Sequence, residues 1–127
     1  MTPVRIRRRR AAGWRKPAGA VIVDRTSRWG NPFTVADALA DGIADDEHAA
    51  HELCAQRYRS WILGSIPGDP DVLRVGNRQY DRRWIREHLH ELRGRSLCCP
   101  CPEGEACHGE VLLELANEEP PPEGRSS

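Results

Sequence analysis

Two prolines flank Cys101 in RSLCCPCPEGEACHGEVLLELA (residues 95–116), and neither can donate a backbone hydrogen bond to a β-ladder. Regular pairing of the strand that residues 95–99 predict must therefore end near Cys99. Cys101 then lies in the loop beyond the strand's carboxyl end, while Cys107, His108 and Gly109 stand where the helix predicted over residues 110–116 begins. Side chains two apart on an extended strand share a face, so Cys99 and Cys101 point one way and Cys98, pointing the other, belongs to the core.

A second short apolar run, AGAVIVD (residues 18–24), is rich in valine and isoleucine and reads as a buried strand. The chain between the two runs is mostly helical in pattern. Thr34 heads VADALAD with Asp37 three residues on, a capping-box arrangement, and Gly42 stops that helix. Asp45 or Asp46 can cap a longer helix in which Ala50, Leu53, Cys54, Tyr58, Trp61 and Ile62 fall on one face, which makes Cys54 a packing residue. His48 and His51 belong to its solvated face. IPGDPD (residues 66–71) is an exposed loop, VLRV (residues 72–75) a short strand, and Asp81 a cap for RRWIREHLHELR (residues 82–93), which ends at Gly94. His88 lies on that helix's apolar stripe and reads as a core histidine. Strand, helices, strand, helix predict an α/β fold, a single domain with a small, mostly parallel sheet packed with helices. A chain of 127 residues has room for one such core.

The zero net charge hides an asymmetry. Residues 1–16 hold seven of the 19 basic side chains and no acid, which leaves 12 basic against 19 acidic groups in the rest. Residues 1–17 are therefore expected to form a basic, disordered arm, residues 18–117 the domain, and residues 118–127 a disordered acidic, proline-rich tail. RIRRRR suits a polyanion such as nucleic acid, where each phosphate contact releases counterions; a solubilising tail, or an arm folded onto the acidic body, is the alternative. No apolar run has the length of a membrane span and the basic start leads into no secretion segment, so a cytoplasmic protein without membrane contact is expected. Reducing conditions there favour metal binding or thiol chemistry over disulfides, and five cysteines is an odd number.

Three readings of the cysteine cluster stay open. Cys99, Cys101, Cys107 and His108 make a Cys3His set suited to zinc, although adjacent Cys and His and a C-x-C spacing are less specific than paired C-x-x-C knuckles. Alternatively Cys107 is a nucleophile or redox thiol and His108 its proton partner, at a helix N-terminus whose N–H groups favour thiolate or hold an anion near Gly109. The third reading is structural, a tight loop packed by small polarizable side chains.

SRWGNPF (residues 27–33) and LRGRSLCCPC followed by CHGEVLLELAN (residues 92–117) together resemble the uncharacterised DUF4326 domain family of bacteria and phages. The likeness covers residues 21–117 or so and places Trp29, Gly30, Asn31, Pro32 and Phe33 on one family motif and Cys99, Cys101, Cys107, His108 and Gly109 on the other. Cys98 lies outside the pattern. The strand before W-G-N-P-F commonly ends in Gly-Arg in the family, whereas here it ends in Asp24-Arg25. The resemblance names a domain and carries no activity with it.

In a parallel sheet the RTSRWGNPF loop emerges on the same rim as the cysteine loop, so the two motifs face one cleft. Arg25 and Arg28 can pair with phosphate, the hydroxyls of Thr26 and Ser27 can donate hydrogen bonds, and Trp29 can stack on a base, with Asn31 counted in the same ligand-binding set. The plainer reading makes Trp29 and Phe33 buried anchors around a Gly-Asn-Pro turn. The sequence thus points to nucleotide or nucleic-acid binding between the two loops, with an enzyme acting through Cys107 and His108 as one form. The other form is a non-enzymatic, zinc-stabilised nucleic-acid-binding module.

Overall fold

The computed structural model describes residues 5–7, 18–24, 27–99 and 106–117. Three short strands, β1 (Arg5–Arg7), β2 (Val21–Ile22) and β5 (Leu97–Cys99), form an all-parallel sheet with β5 in the middle. Cys98 stands opposite Ile6 on one side and Ile22 on the other. The ladder runs one residue beyond β2, since Val23 N–H donates to the Cys98 carbonyl at 2.8 Å. A central parallel strand covered on both faces has no polar side to offer, and Leu97, Cys98 and Cys99 are each 0% exposed.

β1 corrects the expected disordered arm over residues 1–17. Arg5, Ile6 and Arg7 alternate charged and apolar side chains, the period of a strand, and a count of charges cannot register that alternation. Ile6 and Arg5 are both half-buried against the rest of the domain. The remainder of the arm (residues 1–4 and 8–17), the tail (residues 118–127), Arg25 and Cys101 lie outside the described residues.

The helices start where their caps predict. Thr34 Oγ1 accepts from Asp37 N–H at 3.1 Å and opens α1 (Val35–Ala40). Asp46 accepts from Ala49 N–H at 2.8 Å and opens α2 (Glu47–Leu63), which stops at Gly64 in the left-handed region, φ +70°. VLRV is a strand, β3 (Val72–Val75), but it forms an antiparallel hairpin with β4 (Arg78–Asp81), which the sequence reading missed. Its signal was the Gly76-Asn77 pair between two extended runs, with Gly76 at φ +61°.

Asp81 then caps α3 (Arg82–His88), which is shorter than expected and passes into a 3-10 turn over Leu89–Leu92. The His88 ring bonds the Trp84 carbonyl at 2.8 Å, one turn back in the same helix. The last helix, α4 (His108–Asn117), begins two residues before the expected Glu110.

Trp61, Tyr58, Tyr80, Ile85, Leu97 and Leu112 fill the centre of the core. The loop of residues 66–71 is anchored to it. Arg57 grips Asp69 through two hydrogen bonds of 2.8 and 2.6 Å, and Arg82 reaches Asp71, the Trp61 carbonyl and the Asp69 carbonyl. The Arg57 hydrogen bond holds the Asp69 carboxyl below its ordinary 3.8, against the opposing effect of burial.

Two outcomes follow from these contacts. Deleting residues 1–7 should lower the melting temperature by on the order of 5 °C or more, because it strips one whole edge from β5. Asp69→Asn should destabilise the protein at neutral pH in a thermal melt. A carboxyl with a lowered folded pKa stabilises above its unfolded value of about 3.8 and stops doing so as pH falls through the lowered one, so the gap between variant and parent should close below that value.

Candidate active site

Because β2 and β5 are parallel neighbours, the chain leaves both at the same rim of the sheet. The loop bearing W-G-N-P-F follows β2, and the chain following β5 returns at Cys107 to start α4. Cys99, at the end of β5, meets Cys107 there with their sulfurs 3.1 Å apart. Both are buried, Cys99 at 0% and Cys107 at 3% exposure, and both belong to the main core. Cys98 is fully buried too, on the opposite face of β5 as the strand's alternation requires.

His108 is buried and ties the start of α4 to the end of β2. Its Nε2 is 2.5 Å from the Val23 carbonyl, which can only accept, so the Nε2 proton is on this nitrogen. Nδ1 of the neutral ring then carries a lone pair, and it lies 3.7 Å from Cys107 Sγ. Cys107 Sγ also receives the Gly109 N–H at 3.4 Å from the first turn of α4. The Tyr58 ring meets the His108 ring edge to face at 5.4 Å, which fixes the imidazole from the side of α2.

A cation completes the cluster. Arg5 Nη1 donates to Cys99 Sγ at 3.4 Å, and Arg5 Nε lies 3.8 Å from the Glu110 carboxylate. Burial works against the Arg5 charge, but the Cys99 hydrogen bond and the fields of Cys99, Cys107 and Glu110 together outweigh it and raise its pKa above the ordinary arginine value. The arginine stem packs over Gly109, where a Cβ would stand 3.5 Å from both Arg5 Cδ and Cys99 Sγ. The sequence reading had assigned Arg5 to the arm. Its signal was again the alternation with Ile6.

The W-G-N-P-F loop is clamped onto α2. Tyr58 O–H donates to the Trp29 carbonyl at 2.6 Å, and Asn31 Nδ2 donates to the Cys54 carbonyl at 3.1 Å while its Oδ1 accepts from Phe33 N–H at 2.9 Å. Burial, with smaller contributions from Cys107 and Tyr80, pushes Tyr58 well above the usual tyrosine value, so its hydroxyl remains a donor. Trp29 is buried, with its ring against Trp84 at 4.8 Å, and Phe33 lies under the Arg57 guanidinium at 4.6 Å. Trp29 is thus a buried anchor and Phe33 a half-buried one, while Asn31, in the turn between them, adds a further tie to α2. Ser27 Oγ closes the preceding turn, donating to the Asp24 carbonyl at 2.8 Å and accepting from Trp29 N–H at 3.2 Å.

Among the described residues of this loop, Arg28 is the exposed one. Its guanidinium sits 4.1 Å above the Trp84 ring, and the same ring stacks with His88 at 4.3 Å. Neither Trp84 nor His88 was expected at the site, since the apolar stripe of α3 reads as core. Pro32, Phe33, Thr34, Asp37, Cys54 and Arg57 are among the residues lining a separate half-open groove of about 360 Å³ between α1 and α2.

Of the four residues proposed as zinc ligands, Cys99, Cys107 and His108 are brought together and Cys101 lies outside the described residues. Among the described residues no group of three or more His, Cys, Asp or Glu is arranged to hold a metal ion. Sulfurs bound tetrahedrally to zinc at about 2.3 Å stand roughly 3.8 Å apart, wider than the 3.1 Å separating Cys99 and Cys107.

The family model described as "Domain of unknown function (DUF4326)" matches residues 6–118. That match starts inside β1, at Ile6, and takes in Cys99, Cys107 and His108. No curated protein and no solved structure matches the chain. Among the described residues no helix is long and apolar enough to cross a membrane.

Tyr58→Phe should cost about 1–3 kcal/mol in a denaturant melt, because the buried Trp29 carbonyl loses its donor.

Proposed function

We propose that this chain, which belongs to the DUF4326 family, is a cytoplasmic enzyme that binds a nucleotide, or the end of a nucleic acid, and acts on it through the Cys107 thiol. One observation carries the reading. The Val23 carbonyl holds the proton on His108 Nε2, which turns the basic Nδ1 toward Cys107 Sγ at 3.7 Å. A thiol, a base and a group orienting the base is the arrangement that activates a nucleophile. Negative charge on the sulfur would be favoured by the Gly109 N–H and by the Arg5 cation across the Cys99 thiol.

The ligand class rests on charge. Arg28 is exposed on the loop that shares the rim with Cys107, and stacking on Trp84 holds its guanidinium while the in-plane N–H groups remain suited to phosphate oxygens. Arg25 and the basic residues 8–10 belong to the same reading as further phosphate contacts. Ser27, Trp29 and Asn31 shape the loop that presents Arg28.

Timed alkylation of the native protein with iodoacetamide, read cysteine by cysteine by peptide mapping, tests the proposal. Cys107 should label faster than Cys54 and Cys98, and His108→Gln should slow it by roughly 100-fold, the low end of what a positioned base contributes. A nucleoside phosphate panel should protect Cys107 in the parent and fail to do so in Arg28→Ala. Equal labelling of all cysteines, or protection that survives Arg28→Ala unchanged, would overturn the reading. Zinc in the purified protein, with thiols freed only by a chelator, would instead select the non-enzymatic module.

A further inference from the structure

We infer that Cys99 and Cys107 form a reversible disulfide, so that the end of β5 and the start of α4 are a dithiol pair open to oxidation by peroxide. The bond rests on the geometry of the two thiols alone; only its consequence for catalysis rests on the function proposed above. Their sulfurs are 3.1 Å apart, in contact but not joined by a disulfide. A disulfide needs about 2.05 Å, so a closure of about 1 Å completes it. Seven residues, 100–106, separate the two cysteines in the chain, and both sit at element ends, where a side-chain rotation can move the sulfur without displacing a backbone ladder bond.

The surroundings divide the roles between the two sulfurs. Cys107 has a base, His108 Nδ1, at 3.7 Å and the Gly109 N–H at 3.4 Å, whereas Cys99 has the Arg5 guanidinium at 3.4 Å. Cys107 therefore reacts first. Its thiol proton passes to His108 Nδ1, and the thiolate attacks one oxygen of hydrogen peroxide. The O–O bond breaks, leaving Cys107 as a sulfenic acid, and the departing hydroxide takes up a proton to become water. Cys99, its negative charge favoured by Arg5, then attacks the Cys107 sulfur. The S–O bond breaks, the S–S bond forms, and the leaving hydroxide is protonated to a second water. Two thiols have lost two electrons and two protons to one peroxide. Exchange with an external thiol reverses the bond.

Peroxide is small enough for a site whose thiols are 0% and 3% exposed, and a second thiol at contact distance gives the sulfenic acid a partner before further oxidation. The disulfide also removes the nucleophile, so on the function proposed above the oxidised protein is inactive.

The test uses the full chain, reduced, freed of reductant and treated with hydrogen peroxide. Intact mass should fall by two hydrogens and be restored by dithiothreitol. Cleavage after Glu103, Glu105 and Glu110 separates Cys107 from Cys98, Cys99 and Cys101, so fragmentation of the linked peptides assigns the bond in the unmodified sequence. The expected link is Cys99 to Cys107. Cys101→Ser should keep it, while Cys99→Ser should stop at a Cys107 sulfenic acid that dimedone captures. No mass loss, a link that maps to Cys101, or a link that vanishes in a folded Cys101→Ser protein would overturn the inference. Nucleotide protection of Cys107 is a separate readout, so a disulfide without protection would sink the proposed ligand and leave the pair standing.

Discussion

Pairing of β5 with a parallel strand on each side is the constraint on which the other features depend. A strand hydrogen-bonded along both edges and covered on both faces can carry only side chains that tolerate burial, and Leu97, Cys98 and Cys99 do. The same pairing sets the direction in which the chain leaves the sheet. It brings the loop after β2 and the helix after β5 to one rim, and it places Arg5 of β1 beside Cys99 of β5. Cysteine is well suited to such a position because it is small and apolar enough for the core while keeping a reactive sulfur.

The two motifs divide the work. W-G-N-P-F is chiefly a clamp: Tyr58, Asn31 and the Trp29 backbone tie the loop to α2, so that Arg28 is presented on a fixed support. The Cys-His-Gly segment holds the polar cluster. There a backbone carbonyl at the end of one strand sets the tautomer of a histidine that faces a thiol, and an N–H from the first turn of a helix and an arginine add positive potential around it. A buried polar cluster of this kind is costly to leave unpaired, which is why each member has partners from different elements.

Much of the fold was legible because it rests on local rules. Thr34, Asp46 and Asp81 cap the helices they were expected to cap, and the apolar run before the Pro-Cys-Pro segment is a strand. The failures have physical causes. β1 was hidden under its charge, since Arg5 and Arg7 in a strand look like members of a basic arm until Ile6 is given its pairing partner. β4 was passed over because Arg78, Gln79 and Asp81 have no strand propensity of their own and are extended only through pairing with β3. Helix α3 gives way to a 3-10 turn at Leu89, a change of winding that the unbroken apolar stripe of residues 84–92 does not signal.

For the site, the sequence by itself determined the chemical inventory and its order: cysteines beyond a strand that proline ends, a histidine beside a thiol at a helix start, arginines on the other loop. Those follow from covalent order and backbone rules that act within a few residues. Only the tertiary structure decided which thiols touch, which ring nitrogen faces sulfur and which cation lies next to them. Cys99 and Cys107, Val23 and His108, and Arg5 and Cys99 are separated by 8, 85 and 94 positions in the chain. Contacts over such separations are set by strand pairing and core packing, and no local pattern in the sequence encodes them.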